Sequence, residues 1–177
     1  MDFTHWRSAD DQALQQLPYH IAEWLAEFGS LTEKLARHVK QVKLQVLQEN
    51  SQAAETEEEA LLNLDQGTEA RIREVILHGP KQPWIFARTI MPDSASHLID
   101  SLGDKPLGSI LFSGSHLRRQ FLQVKQLEKK DWLYQRAQSF VAEQDRLWAR
   151  RSLWANNENK QIAMLVCEVF LPDSPLY

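Results

Sequence analysis

Residues 160–171 read KQIAMLVCEVFL, the most apolar run in the chain. If this run is a strand, successive side chains point to opposite faces of a sheet. One face then carries Met164, Val166, Glu168 and Phe170, and the other carries Leu165, Cys167, Val169 and Leu171. Because both faces are apolar, we predict a central strand that is covered on both sides.

Glu168 is the only charged residue between residues 161 and 171. A buried carboxylate without a partner costs several kcal/mol or gives up its charge. It therefore needs either a structural contact, such as an arginine or water at the strand end, or a functional role. Because structural ion pairs are common, the pattern alone favours the structural interpretation.

Length and composition restrict the class of protein. A chain of 177 residues, 43% of them hydrophobic, predicts one globular domain over residues 1–177. A net charge of -4 argues against binding nucleic acid, because no basic excess is present to neutralise phosphates. The lone Cys167 fits a reduced compartment. Because no signal peptide and no run of about 20 apolar residues is visible, we expect a cytoplasmic protein with no stable membrane insertion. We also expect the protein to be a monomer.

Alternating and apolar patterns predict six strands. They lie at residues 40–48, 70–77, 83–91, 117–124, 148–155 and 160–171. Short turns, such as the one at residues 156–159, make neighbouring strands antiparallel. We therefore predict an α+β fold, a single six-stranded antiparallel sheet with helices packed on it.

Two helices are predicted before the first strand. Residues 19–28 place apolar side chains at i, i+3, i+4 and i+7, which is typical of an amphipathic helix. Gly29 would end this helix. Ser30 and Glu33 form a capping box that begins the second helix, so the two helices meet at an elbow.

Three further segments lie between the strands. Residues 49–69 are acidic and are predicted to be a solvated loop or a short helix over the core. Residues 92–101 are predicted to form a short helix. Residues 125–147 are a polar, helix-favouring insertion.

Few residues carry an obvious chemical signature. No phosphate-binding, metalloprotease or nucleophile-elbow motif is present, and the six histidines are scattered, so we expect no metal site. Arg73 shares a strand face with Val75 and Leu77, and an arginine in an apolar pocket is suited to bidentate capture of a carboxylate. Glu168 could accept a hydroxyl hydrogen bond or act as an acid or base. The alternative is that Arg73 and Glu168 simply pair with each other.

Several short sequence pieces follow one another in order from about residue 20 to the end of the chain. They are Ser30-Leu31-Thr32, Ile72-Arg73-Glu74-Val75, Pro83-Trp84, Ala87-Arg88-Thr89, Lys105-Pro106-Leu107-Gly108, Leu111-Phe112, Trp148-Ala149-Arg150-Arg151-Ser152, Glu168-Val169-Phe170-Leu171-Pro172 and Ser174-Pro175-Leu176-Tyr177. Together these pieces resemble the 4-hydroxybenzoate-forming chorismate lyase family.

The resemblance implies a function and a site. Such lyases eliminate pyruvate from chorismate without a cofactor, giving 4-hydroxybenzoate in the first committed step of ubiquinone biosynthesis. Arg73 matches the arginine that holds the ring carboxylate, and Glu168 matches the carboxylate that meets the hydroxyl at the far end of the ring. Leu31 and Leu107 match positions whose backbone amides bind carboxylate oxygens. The implied fold has helix-turn-helix flaps over a buried ligand pocket, with Arg73 and Glu168 apart by the length of one benzoate ring.

Two other functions fit the same sequence. One is a non-catalytic module that binds a small carboxylate, related to the effector-binding domains of transcription regulators. The other is an interaction protein that uses the acidic residues 49–69. The sequence also leaves open whether Arg88, Arg150 or Arg151 contributes to binding the second carboxylate of chorismate, because strand alternation does not decide between them.

Overall fold

One antiparallel sheet runs through most of the chain. The computed structural model describes residues 2–100, 102–114 and 116–177. Within them the strands are β1 Arg7–Ser8, β2 Lys43–Ala53, β3 Glu69–His78, β4 Pro83–Met91, β5 Leu117–Glu128, β6 Arg146–Asn156 and β7 Ile162–Phe170. These seven strands form a single sheet in the order β1-β5-β6-β7-β4-β3-β2, and every neighbouring pair is antiparallel.

Strand β7, the apolar run, lies in the middle of this sheet between β6 and β4. Glu168 is directly opposite Ala87 on β4 and Arg150 on β6. Leu165 and Val169 are buried on one face, and Met164 and Phe170 are buried on the other. The prediction of a central strand covered on both sides is therefore confirmed.

The predicted count of six strands was wrong, because the described residues form a seven-stranded sheet. The additional strand is β1, which pairs Arg7 and Ser8 with Val124 and Gln123 at the edge of β5. Two residues are too few to show an alternating pattern. This strand could therefore be recognised only from its partner in the folded chain.

Five α-helices and two 3-10 helices accompany the sheet in the described residues. They are α1 Tyr19–Leu25, α2 Leu31–Ala36, α3 Thr56–Leu62, α4 Gly108–Leu111 and α5 Trp132–Gln138, with 3-10 helices at Gln12–Gln16 and Asp93–Ile99. The helix predicted over residues 92–101 is the second 3-10 helix, and Ser101 lies outside the described residues. No described helix is long and apolar enough to cross a membrane.

The predicted elbow between two helices is present, but its first helix ends early. Ser30 caps α2 because its Oγ accepts a hydrogen bond from the N–H of Glu33 at 3.3 Å. Helix α1 ends at Leu25 with Ala26 as its cap, and Gly29 does not adopt the left-handed conformation of a helix terminator. The elbow is therefore a connection over residues 26–30 and not a single glycine turn.

Helices cover the sheet on both faces. Helices α3 and α5 pack on one face around a core that includes Leu62, Phe86 and Leu133. Helices α1 and α2 pack on the other face, where Trp24 and Leu35 lie buried. The helical insertion predicted over residues 125–147 is shorter than expected, because β5 continues to Glu128 and α5 has only seven residues.

The acidic residues 49–69 contain the predicted short helix over the core, α3, but the carboxylates of this helix are not all solvated. Glu58 and Glu59 on α3 are buried, with 2% and 6% of their surface exposed. Arg88 donates to both carboxylate oxygens of Glu58 at 2.8 and 2.9 Å, and to Glu74 at 2.8 Å. Arg136 also pairs with Glu74. Burial is compensated here by a network of opposite charges.

The protonation of this network follows from its geometry. Burial disfavours the charged form of Arg88, but Glu58 and Glu74 outweigh burial and raise the pKa of Arg88 above its usual value. Burial would likewise raise the pKa of Glu74, but hydrogen bonds from Arg136 and Arg88 hold that pKa below its usual value. The network is therefore a set of buried ion pairs on the face that carries α3 and α5.

Replacing Arg88 with methionine is expected to lower the free energy of unfolding by about 3–5 kcal/mol, because Glu58 is left as a buried, unpaired carboxylate. Urea denaturation of the variant measures this loss. The control is Arg146→Met, since Arg146 is half exposed and pairs with Glu128 at the surface. That change should cost less than about 1 kcal/mol. Equal stabilities of the two variants would contradict a structural role for Arg88.

Candidate functional site

A cavity lies on the sheet face that carries α1 and α2. The space between its lining atoms, counted with its open mouth, is about 640 Å³. Its floor is formed by strands β2 to β7, and its rim by the elbow and α4. All four site residues predicted from the sequence, Leu31, Arg73, Leu107 and Glu168, line this one cavity.

Arg73 enters the cavity from β3 and is only 4% exposed. Its Nη1 donates to Glu49 Oε2 at 2.6 Å, and its Nη2 donates to the carbonyl of Gly103 at 2.7 Å. Burial would raise the pKa of Glu49, but hydrogen bonds from Arg71 and Arg73 hold it below its usual value. An arginine has five N–H donors, so this pairing orients the guanidinium and leaves donors for a ligand.

Glu168 enters the cavity from β7, where Arg150 faces it across the strand pair. Arg150 donates from Nε to Glu168 Oε2 and from Nη1 to the carbonyl of Glu27 at 2.8 Å. Arg150 is 2% exposed, whereas the Glu168 side chain keeps 16% of its surface. A structural arginine therefore does contact Glu168, and the second carboxylate oxygen is left for another donor.

Arg73 and Glu168 do not pair with each other, so the direct ion pair considered from the sequence is not formed. Arg73 is on β3 and Glu168 is on β7, and β4 lies between these two strands. The backbones of β3 and β7 are therefore two strand spacings apart, or about 10 Å. Arg73 is in register with Thr89 and, through it, with Val166, two residues before Glu168. The two charged groups therefore stand apart at two places on the cavity wall.

Leu31 and Leu107 lie at the starts of two short helices that meet at the rim. Leu31 is the first residue of α2, so its N–H has no acceptor within the helix. Leu107 is the N-cap of α4. A Cβ on Gly108 would come within 3.0 Å of Ser30 Oγ, so glycine permits this close approach. The two helix starts are thereby brought together on the same side of the cavity.

Strand alternation did not decide which of Arg88, Arg150 and Arg151 faces the cavity, but the structure does. Arg88 belongs to the buried network on the opposite face of the sheet. Arg151 also lies on that face, where it donates to Gln123 Oε1 at 2.8 Å and to Glu57 Oε1 at 2.6 Å. Only Arg150 reaches the cavity, and it is engaged with Glu168.

Sequence reasoning missed one charged residue of the cavity, Arg119 on β5. Counting back from Leu122 by strand alternation assigns Arg118 and Gln120 to the cavity side. A bulge between Arg119 and Phe121 shifts the register, so Arg119 pairs with Trp154 and faces the cavity instead. Burial, with a contribution from the nearby positive charge of Arg150, lowers the pKa of Arg119 to about 10.

The described residues of the cavity form neither a metal site nor a reactive thiol site. Among the described residues, no three His, Cys, Asp or Glu side chains lie close enough to hold a metal ion. Cys167 is buried, on the face that carries α3 and α5, and burial raises the pKa of its thiol. The cavity offers arginines, one carboxylate and backbone amides, which suit an anionic organic ligand.

Comparisons with known proteins bear on what that ligand is. A family model described as chorismate lyase matches residues 2–177. The chorismate pyruvate-lyase of Hamiltonella defensa is 35% identical over an alignment that covers 97% of this chain and 87% of the relative. That of Yersinia enterocolitica is 34% identical over 165 residues, covering 91% of this chain and 86% of the relative. The chain belongs to the chorismate lyase family. The resemblance drawn from the sequence is thereby confirmed.

Solved structures show that this lyase family member shares its fold with regulatory domains. A GntR-family transcriptional regulator from Bacillus cereus matches with a TM-score of 0.59 and 15% identity, over 75% of this chain and 92% of the other. The ligand-binding domain of a GntR-family regulator from Bordetella bronchiseptica matches with a TM-score of 0.57 and 14% identity, over 75% and 87%. At such low identity the likeness shows a common fold alone.

Proposed function

We propose that the cavity between Arg73 and Glu168 is the active site in which this chorismate lyase family member eliminates pyruvate from chorismate. One observation carries the assignment of the site. An arginine and a carboxylate stand apart on the wall of one cavity, each held by a different partner, with Glu49 on Arg73 and Arg150 on Glu168. That spacing suits a six-membered ring with a carboxylate at one end and a hydroxyl at the other.

The ring carboxylate binds at the Arg73 end. The guanidinium supplies charge-assisted hydrogen bonds, which are shorter and stronger than neutral ones. The amides of Leu31 and Leu107 donate to the same carboxylate from the two helix starts. Because Arg73 also donates to Gly103 at 2.7 Å, it ties the strand floor to the segment that carries Leu107.

The ring hydroxyl binds at the Glu168 end. Glu168 accepts a hydrogen bond from the hydroxyl through the oxygen that Arg150 does not occupy. The contact with Arg150 fixes the orientation of the carboxylate, since both groups belong to neighbouring central strands. Glu168 thereby holds the hydroxyl-bearing ring carbon in place, and it is also the group able to relay a proton there.

The elimination needs few groups from the protein. The ether bond between the ring and the enolpyruvyl group breaks, and the hydroxyl-bearing ring carbon loses its hydrogen. The ring becomes aromatic 4-hydroxybenzoate, and the three-carbon fragment gains that hydrogen as pyruvate, so all atoms are conserved. No cofactor is required, because aromatisation drives the reaction. The site needs to hold a reactive conformer, exclude water and stabilise shifting charge.

Two helix-turn-helix segments act as flaps over the ligand in this proposal. The first is α1, the elbow and α2, which Arg150 holds through the carbonyl of Glu27. The second consists of the 3-10 helix Asp93–Ile99, residues 102–107 and α4. Ser30 and Gly108 are where the two flaps approach each other. In this proposal, residues 1–177 form one chorismate lyase-like domain. The protein is a monomer in the cytoplasm and acts in ubiquinone biosynthesis.

Purified protein mixed with chorismate is expected to produce 4-hydroxybenzoate and pyruvate in equal amounts. Ultraviolet absorbance detects the aromatic acid, and lactate dehydrogenase with NADH detects pyruvate. The alternative, a non-catalytic module that binds a small carboxylate, predicts chorismate binding by calorimetry without either product. Equal product amounts exclude pyruvate from a different reaction of chorismate. A sample without protein corrects for the uncatalysed elimination, which releases the same two compounds.

A further inference from the structure

The charges around the cavity do not balance. The described charged side chains in its lining are Arg73, Arg119, Arg150 and Glu168. Glu49 neutralises Arg73, and Glu168 neutralises Arg150. Among the residues that the structure describes, no carboxylate pairs with Arg119 in this way, so the described lining keeps one uncompensated cation.

Arg119 has few polar contacts and lies beside aromatic rings. Its Nη1 donates to the carbonyl of Phe28 at 2.6 Å, but its Nε is buried and finds no hydrogen-bond partner in the described part of the chain. Its guanidinium lies 4.7 Å from the ring centre of Trp154 and 5.7 Å from that of Phe112. An unpaired polar atom in such an apolar setting costs free energy, so it needs a partner that the free protein does not supply.

The nearby carboxylates are already used. Glu168 and Glu27 both exert an attractive electrostatic effect on Arg119. Glu168 contacts Arg150, and Glu27 lies 3.6 Å from Lys34 Nζ while accepting the N–H of Gly29. Each of these carboxylates already has a cationic partner, so neither gives Arg119 a countercharge of its own.

Chorismate carries the missing anion at the matching place. It has two carboxylates, one on the ring and one on the enolpyruvyl group, whereas 4-hydroxybenzoate retains only the first. The enolpyruvyl ether is attached to the ring carbon next to the hydroxyl-bearing carbon. When the hydroxyl is held by Glu168, the second carboxylate must lie near that end of the cavity. Arg119 reaches toward this end, because it donates to the carbonyl of Phe28 while Arg150, the partner of Glu168, donates to the carbonyl of the adjacent Glu27.

We infer that Arg119 binds the enolpyruvyl carboxylate of chorismate, with Trp154 and Phe112 as the apolar walls beside it. This inference rests on the proposed function of the cavity. Arg119 is then a residue that distinguishes substrate from the aromatic product, because the product has no group to place there. Its guanidinium also holds the departing pyruvate anion until the ring has become aromatic.

The test compares substrate and product in the same variants. Arg119→Gln should lower kcat/KM for chorismate about 10- to 100-fold, the value of one charged hydrogen bond, while the dissociation constant of 4-hydroxybenzoate stays within about twofold of wild type. Arg119→Lys should recover part of the loss, since it retains the charge without the planar fork. Arg118→Gln is the matched control, because Arg118 is the exposed neighbour on the same strand, and it should behave as wild type.

Two outcomes would overturn the inference. If Arg119→Gln weakens 4-hydroxybenzoate binding as much as it lowers kcat/KM, Arg119 acts only by tethering the elbow through Phe28. If kcat/KM is unchanged, the second carboxylate binds elsewhere. Wild-type protein in the same assay separates both results from a failure of the proposed function, since only the latter abolishes product formation in every sample.

Discussion

Replacing Arg73 with alanine is expected to lower kcat/KM for chorismate by between about 30-fold and about 1,000-fold. The ring carboxylate loses its main cationic partner in a site where Arg73 is only 4% exposed. The dissociation constant of 4-hydroxybenzoate should rise by a similar factor, because the product retains this carboxylate. Steady-state kinetics and calorimetry with the product measure the two effects.

Arg71 provides the control for this experiment. It lies on the same strand and pairs with the same carboxylate, Glu49, but also with Asp100, and it is outside the cavity lining. Arg71→Ala should therefore change stability slightly and leave product affinity near the wild-type value. An Arg73→Ala protein with unimpaired turnover and product affinity would remove Arg73 from the site.

Changing Glu168 to glutamine is expected to abolish the preference for 4-hydroxybenzoate over benzoate. Wild-type protein should bind the hydroxylated compound about 10- to 100-fold more tightly, since a hydrogen bond to a charged group contributes about 1.5–3 kcal/mol. Benzoate is the matched ligand, because it keeps the carboxylate for Arg73 and lacks only the hydroxyl. Competition calorimetry with both compounds measures the preference directly.

Turnover by the same variant separates two roles of Glu168. A large fall in kcat is expected if the carboxylate relays a proton, whereas full turnover would leave it only an orienting role. Glu168→Ala is a control for stability and not for chemistry. It leaves Arg150, 2% exposed, without a countercharge, so the free energy of unfolding should fall by about 3–5 kcal/mol.

Strand alternation predicted much of this fold because it is a local property. The six long strands, the central position of β7 and the faces of Arg73 and Glu168 all follow from side chains that point alternately to two sides. The cap at Ser30 is local as well. The cavity residues that alternation could assign were therefore accessible from the sequence, and the resemblance to known lyases supplied their roles.

The errors have non-local causes. Strand β1 is two residues long and exists only through its pairing with β5. Glu58 and Glu59 lie in a segment whose acidic composition is typical of a solvated surface. Glu58 is nevertheless buried, because Arg88, from a distant strand, compensates its charge. The insertion over residues 125–147 favoured helix by composition, but its first residues extend a strand already paired with β6.

The sequence by itself determined the family, the antiparallel sheet and the two residues, Arg73 and Glu168, that face one cavity. Only the tertiary structure decided that they stand apart, that Glu49 and Arg150 hold them, and that Arg119 joins them. The reason is that pairing partners depend on register between strands distant in sequence. One bulge beside Gln120 changes which arginine faces the cavity, and nothing in the local pattern reveals that bulge.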